Sequence, residues 1–347
     1  MSPLDIVRLK TWIFKVARRA LGLDRTIYVN QRVSEYRGYW AEGASILGAQ
    51  FRELSDGMWE VESTNRVTRI ANYLVQADDP VILKLAGDKP FSYRLAESVG
   101  FRVPDYAVFH LSELPKALRW ARRHQGPFVV KPAIGSSSGR GVTTVVSSAV
   151  EIAQAMALAS LFAESIIVQQ MIFGESCRLL ILGGECIDAI RRRGVRVVAD
   201  GRSTVANLLS TRDKNLQRDQ VTRFTLSQQN LDLQGVPTTG EVLLRAFPPD
   251  KNETIELRTV YTERIRGNVD ATLIAQAEDL ASAIHSTFAG VDFIASDPSR
   301  GATAFFLEVN TTPGIHHHYS LAGEKLAEPI AATVLRRLLE HGSDRRL

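Results

Sequence analysis

The chain has 347 residues, 45% of them hydrophobic and 23% charged, the balance of an ordinary globular protein able to build two or three lobes. Its net charge of +4 is dispersed, so no basic face for nucleic acid is expected, and a mild positive excess suits anionic nucleotide and carboxylate substrates. No apolar run reaches the eighteen or so residues of a membrane span, and the only cysteines, Cys177 and Cys186, lack ligands at zinc spacing, which predicts buried reduced thiols and a cytoplasmic location.

Residues 6–21 read as an amphipathic helix, with Ile6, Leu9, Ile13, Val16 and Ala20 opposite Arg8, Lys15, Arg18 and Arg19. Its apolar face is expected to pack on the protein or on a second subunit, as in a homodimer, with membrane-surface binding as the alternative. Residues 1–85 mix this helix with short strands and turns, and Asp78-Asp79-Pro80 and Gly87-Asp88-Lys89-Pro90 mark boundaries. A first lobe over 86–165 is expected to run helix, strand, Gly-rich loop, strand, and a closing helix near 151–164. A second lobe over 166–347 is expected to open with strands at 166–172 and 177–182, followed by the arginine-rich strand Ala189–Arg193. A polar helical excursion at 204–232 and a short strand at 241–245 come next. Helix 270–287 has Leu273, Ala277, Leu280 and Ile284 at helical spacing and leads into two apolar strands. Mixed order with hairpins predicts α+β lobes rather than a doubly wound sheet.

Those last strands carry chemistry. Phe305-Phe306-Leu307-Glu308-Val309-Asn310 places a carboxylate and a carboxamide on one strand face before Thr311-Thr312-Pro313-Gly314 stops the strand. Asp292 lies within the other run, Val291-Asp292-Phe293-Ile294. Oxygens from both strands suit a hard cation such as Mg2+; the alternative is a pair of solvated strand-end charges. Upstream, Phe128-Val129-Val130-Lys131-Pro132 reads as a strand that ends in a lysine and runs into Gly135-Ser136-Ser137-Ser138-Gly139-Arg140-Gly141. Such a loop can cradle a phosphate with its backbone N–H groups, or be an ordinary surface loop. Its spacing fits neither the Walker loop nor the dinucleotide fingerprint. The run His316-His317-His318-Tyr319 reads as substrate-binding or as hydrogen-bonded structure; zinc suits it least, because adjacent side chains diverge.

In this order the segments resemble the ATP-grasp superfamily over roughly residues 84–340, and most of all the ligase core of the cyanophycin synthetases and related peptide ligases. Gly87–Pro90 with Ala96–Pro104 resembles the helix bearing a nucleotide lysine, Ile166–Ile172 the adenine hinge, Cys177–Glu185 the hairpin after it, and Asp200-Gly201-Arg202-Ser203-Thr204 the turn after the arginine strand. The resemblance implies two α+β lobes enclosing ATP, preceded by a shortened N-terminal domain over 1–85. Lys89 and Lys131 would meet the α/β phosphates, and the loop residues Gly135, Ser136, Ser137, Ser138, Gly139 and Gly141 the γ-phosphate. Gln169, Gln170, Met171 and Leu307 would frame adenine, with Gln169 accepting from its amine, and Glu175 or Ser176 would reach the ribose. Arg178, His316 and His318 are implied at the substrate pocket. Asp292, Glu308 and Asn310 would hold a pair of Mg2+ ions, which Mn2+ can replace, with Glu308 bridging. Lys131 and Arg192 would be catalytic, Arg192 by holding oxyanions, while Arg191 and Arg193 point to the opposite strand face.

The implied activity is amide-bond formation through an acyl phosphate, on amino acids or a small peptide. The alternatives are a phosphotransferase and a nucleotide-binding regulator without turnover. Departures from the family pattern are Gln169 in place of an acid, Ser176 at the ribose position, His316 in place of an arginine, and no second ligase half before residue 347. Full cyanophycin polymerisation is therefore not expected.

Overall fold

A computed structural model describes residues 9, 12, 13, 16, 26–134, 141–192, 194–210, 220–245, 262–319, 326–340 and 343–344. Gly135, Ser136, Ser137, Ser138 and Gly139 of the Gly-rich loop, together with Arg140 and Arg193, lie outside the described residues. Two compact units form, Met1–Gln76 with Glu328–Leu347, and Ala77–Ala327.

The first unit contains α1 (Thr26–Ile46) and an antiparallel meander of β1 (Gln50–Ser55), β2 (Met58–Ser63), β3 (Arg66–Ala71) and β4 (Leu74–Val75). The β1–β2 turn uses Asp56-Gly57, with Gly57 at φ +68°, a conformation in which a side chain would be strained. Trp59, Val61 and Ile70 of the sheet are buried, as are Tyr36, Trp40 and Ala44 of α1. Of the expected N-terminal apolar face, Leu9, Ile13 and Val16 are exposed, as is the neighbouring Trp12.

The second unit begins with α2 (Pro80–Gly87) and α3 (Lys89–Ser98), each started by an aspartate cap and an early proline. Asp79 accepts from the backbone N–H groups of Val81 and Ile82, and Asp88 from that of Phe91. Then come β5 (Tyr106–Phe109), α4 (Leu114–Arg123), β6 (Phe128–Pro132), β7 (Thr143–Val146), α5 (Ala149–Ser160) and β8 (Ile166–Gln170). The four strands form one antiparallel sheet in the order β5-β8-β6-β7. α5 opens with a reciprocal capping box between Ser148 and Glu151. Its Ile152 and Met156 cover Phe128, Val130, Ile166 and Val168.

The second sheet takes β9 (Glu175–Leu182) and β10 (Glu185–Arg192), joined through Gly183-Gly184. β11 (Val195–Ala199), α6 (Val205–Ser210), α7 (Gln220–Ser227) and β12 (Gly240–Arg245) form an excursion with its own two-stranded sheet and apolar cluster. β13 (Thr262–Arg264), α8 (Ala271–Ala283), β14 (Phe288–Ala295) and β15 (Ala304–Asn310) complete the main sheet, in the order β13-β10-β9-β14-β15. One face of it buries Leu179, Ile181, Val291, Phe293 and Phe306 beneath α8 and, from the other end of the unit, Tyr93 and Ala96 of α3. The α+β class is as expected.

Three placements differ from the sequence reading. β8 does not open the second lobe. Its first four residues are all buried and it pairs with β5 on one side and β6 on the other, so it is a central strand of the first sheet. α3 covers the second sheet rather than the first. Finally, α9 (Ile330–Glu340) packs on α1 and β3, and β16 (Ser343–Asp344) pairs with β3, so this stretch belongs to the first unit. The reason is that α9 is amphipathic and buries Ile330, Val334, Leu335, Leu338 and Leu339. A helix pattern specifies an apolar stripe but not the surface that covers it.

Candidate nucleotide and metal site

Strand register assembles the acidic cluster. Ile190, Arg178, Asp292 and Glu308 are successive cross-strand partners on β10, β9, β14 and β15, so their side chains line one face. The next row holds Asp188, Leu180, Gly290 and Asn310, and the row on the other side begins with Arg192 and Ser176. Arg192 therefore lies on the sheet face that carries Asp292 and Glu308. Arg191 is on the reverse face, where it pairs with Glu263 at 2.8 Å and Glu175 at 3.8 Å.

Arg178 binds Asp292 in a fork, Nε to Oδ1 and Nη2 to Oδ2, both at 2.6 Å. Both groups are buried. Asn310 Nδ2 donates to Asp292 Oδ2 and to Glu308 Oε1, at 3.2 Å each. A polar N–H group thus sits between two carboxylates, where added positive charge is favoured. Gly290 makes room for this arrangement, since a Cβ there would lie 2.9 Å from Pro313 Cβ and 3.3 Å from Arg178 Cδ. Leu307 is the extra residue of a β-bulge, because Asp292 pairs with Glu308 and Phe293 with Phe306. Simple alternation therefore does not assign its face.

The lysines come from α3 and β6. Asp88 bridges to Ile134, and the N–H of Lys89 donates to the carbonyl of Ala133 at 3.1 Å, which ties the start of α3 to the foot of the Gly-rich loop. Lys89 Nζ is buried and stands 3.9 Å from Glu308 Oε2. Its pKa is lowered by burial, against the pull of Glu308. Lys131 is the penultimate residue of β6, and burial brings its pKa down to about 8. Its Nζ donates to the hydroxyl of Tyr93 at 2.8 Å, which in turn donates to Gln169 Oε1 at 2.8 Å. Gln169 is buried on β8, with Gln170 and Met171 following. Cation, carboxylates and carboxamide together can bind a polyanion and its counterion.

Two expected contacts come out differently. Glu175 does not stand open for a ribose; it accepts from Gly194 N at 2.6 Å and from both Nη atoms of Arg196 at 2.5 and 2.7 Å. A carboxylate so satisfied serves to tie β9 to β11. His318 is fully buried, its Nδ1 2.8 Å from Asp188 Oδ2, while Arg264 Nε donates to Asp188 Oδ1 at 2.9 Å. Arg264 already neutralises Asp188, and burial holds the His318 pKa below its ordinary value despite the Asp188 hydrogen bond. His316 and His317 have their ring centroids 3.8 Å apart. Cys177 and Cys186 are free and buried, with burial pushing the Cys186 thiol up to about 12.

Sequence reasoning missed Tyr93, Asp188 and Arg264. Tyr93 carried a signal, since it stands one helical turn after Lys89 and so on the same face. Asp188 also carried one, as an acid inside an apolar strand two residues from Ile190.

No protein-family model matches the chain. Cyanophycin synthetase of Trichormus variabilis is 27% identical over 284 residues, spanning 76% of this chain and 30% of that one. The bifunctional glutathione-biosynthesis protein of Streptococcus mutans is 25% identical over 283 residues, spanning 76% of this chain and 37% of that one. The chain thus corresponds to well under half the length of either relative. Among solved structures, a bifunctional glutathione synthetase from Pasteurella multocida superposes with a TM-score of 0.52 at 18% identity, covering 89% of this chain and 44% of that one. The chain has the α+β ATP-grasp fold and is similar in sequence to cyanophycin synthetase.

Proposed function

We propose that the chain is an ATP- and Mg2+-dependent carboxylate–amine ligase that joins amino acids or small peptides through an acyl phosphate. The observation that carries this reading is the convergence of Asp292, Glu308 and Asn310 on one sheet face with Lys89 3.9 Å from Glu308. The similarity to a cyanophycin synthetase and to a glutathione-biosynthesis protein supports it.

In this reading Lys89 and Lys131 bind phosphate oxygens, whose charge restores full protonation of the buried Lys131. Asp292, Glu308 and Asn310 would hold Mg2+, and the N–H donor that Asn310 places between both carboxylates supports a site that attracts positive charge. A carboxamide can also turn its oxygen inward. Bound there, Mg2+ would draw charge from the transferring phosphoryl group. A substrate carboxylate oxygen bonds to the γ-phosphorus and ADP leaves; an amine then attacks the acyl carbon and phosphate leaves. Arg192, on the same face as the acids, is the proposed oxyanion partner in both steps. The reduced thiols support placing this chemistry in the cytoplasm.

The test is a pairwise screen of amino acids and dipeptides for amine-dependent phosphate release, followed by a carboxyl-18O substrate. One labelled oxygen must appear in the released phosphate. Product that keeps the phosphoryl group would replace this reading with a phosphotransferase, and no turnover with any pair would leave a nucleotide-binding regulator.

A further inference from the structure

Leu9, Trp12, Ile13 and Val16 are helical, and their i, i+3, i+4 and i+7 spacing lines them up in one stripe. All four are exposed, at 45%, 61%, 52% and 46%. Single exposed apolar residues are ordinary, but four in one stripe, one of them a tryptophan, mark a surface that something covers. The core of the first unit does not call on them. Tyr36, Trp40 and Ala44 of α1 are already buried, with α9 packed against that helix.

Charge says what the cover is. Residues 1–25 hold six basic residues, Arg8, Lys10, Lys15, Arg18, Arg19 and Arg25, against two acids, Asp5 and Asp24. The chain totals 42 basic and 38 acidic residues, so 36 of each sign remain and the whole net charge of +4 belongs to this segment. The excess is therefore concentrated, where a dispersed charge was expected. Between Asp5 and Asp24 every charged residue is positive. An apolar helical stripe in so basic a segment suits an anionic bilayer: acyl chains take up the apolar side chains, headgroups neutralise the cations, and tryptophan favours the boundary between them. A second copy suits it less. A two-fold contact sets the same patch against itself, and so one +4 segment beside another. No helix among the described residues is long and apolar enough to cross a membrane, which fits attachment along the surface.

We propose that this segment docks the chain on an anionic lipid surface, with Leu9, Trp12, Ile13 and Val16 entering the headgroup–acyl boundary and the basic residues around them meeting the headgroups. The proposal stands apart from the nucleotide-site reading, since none of these residues belongs to that site.

Flotation of the whole chain with vesicles of phosphatidylcholine containing about a quarter phosphatidylglycerol, beside phosphatidylcholine alone, tests this. The wild-type chain should float with the anionic vesicles only, and should come off in about 1 M salt, where screening is nearly complete. Its tryptophan emission should shift to the blue on binding. That shift should vanish in Trp12→Phe, because Trp40 and Trp59 are buried with or without lipid. Ile13→Asp should weaken vesicle binding by about tenfold or more, the loss of one buried apolar side chain. Arg18→Gln with Arg19→Gln should weaken it by about fivefold per charge. Equal flotation with neutral vesicles would overturn the role of charge, and flotation that ignores Ile13→Asp would place the contact elsewhere. A wild-type chain that does not float but sediments as a dimer, and turns monomeric in Ile13→Asp, would assign the stripe to a second copy and overturn the proposal. So would a monomer that does not float.

Discussion

Single residues here are held by charges that leave little room for substitution. Arg178 and Asp292 are each less than a tenth exposed, so removing one strands the other in a poorly solvated place. Arg178→Leu is expected to cost about 3–5 kcal/mol of stability, read from the urea midpoint, and a loss under about 1 kcal/mol would show that water reaches Asp292. His318 links folding to pH. Asp188, Arg264 and Arg178 face it, and burial keeps its folded pKa below the usual value. Below about pH 6.5 the unfolded chain takes up a proton that the folded chain refuses, so stability falls by up to about 1.4 kcal/mol per pH unit. Burial raises the Asp188 carboxyl, but hydrogen bonds from His318 and Arg264 outweigh that and hold it low, so its own loss sets in only below about pH 4. Urea unfolding at pH 7.5 and 5.5 should show the drop, and His318→Gln should flatten it. An equal drop in His318→Gln would assign the pH response to another group.

At the scale of elements, the site depends on strands lying close enough for side chains to meet across them. Gly290 on β14 sits in the row between Leu180 and Asn310, under Pro313 and against Arg178. A methyl group added there meets Pro313 Cβ at 2.9 Å and the Arg178 side chain at 3.3 Å. Gly290→Ala is expected to lose about 1–3 kcal/mol through overpacking, visible as a lower melting temperature, although alanine is normally the better strand residue. An unchanged melting temperature would mean that the turn at Pro313 shifts freely. Most of these elements were legible in the sequence. The Gly87–Pro90 segment and the family resemblance announced α3, helical spacing announced α8, and a lysine-ended apolar run announced β6. The bulge at Leu307 was not, because nothing local distinguishes an extra residue from the regular pleat.

For the whole molecule, α9 is needed to complete the first unit. Its buried face covers α1, and Gly43 lies so close that a Cβ would come 2.8 Å from the backbone nitrogen of Ala332. Deleting residues 328–347 should expose Tyr36 and Trp40 and make residues 26–76 readily cut in limited proteolysis; resistance equal to the full chain would show that the meander and α1 suffice. The sequence by itself determined the α+β class, the order of the lysine, Gly-rich and acidic segments, and the common strand face of Glu308 and Asn310. All three follow from local periodicity and from residue chemistry. Only the tertiary structure decided that β8 is central to the first sheet, that α9 joins the N-terminal unit, that Glu175 is spent on Arg196, and that Tyr93 hydrogen-bonds Gln169 76 positions away. Periodicity says which face of an element must be covered. What covers it, and which distant polar group satisfies a buried one, is settled by packing between segments that the sequence pattern does not link.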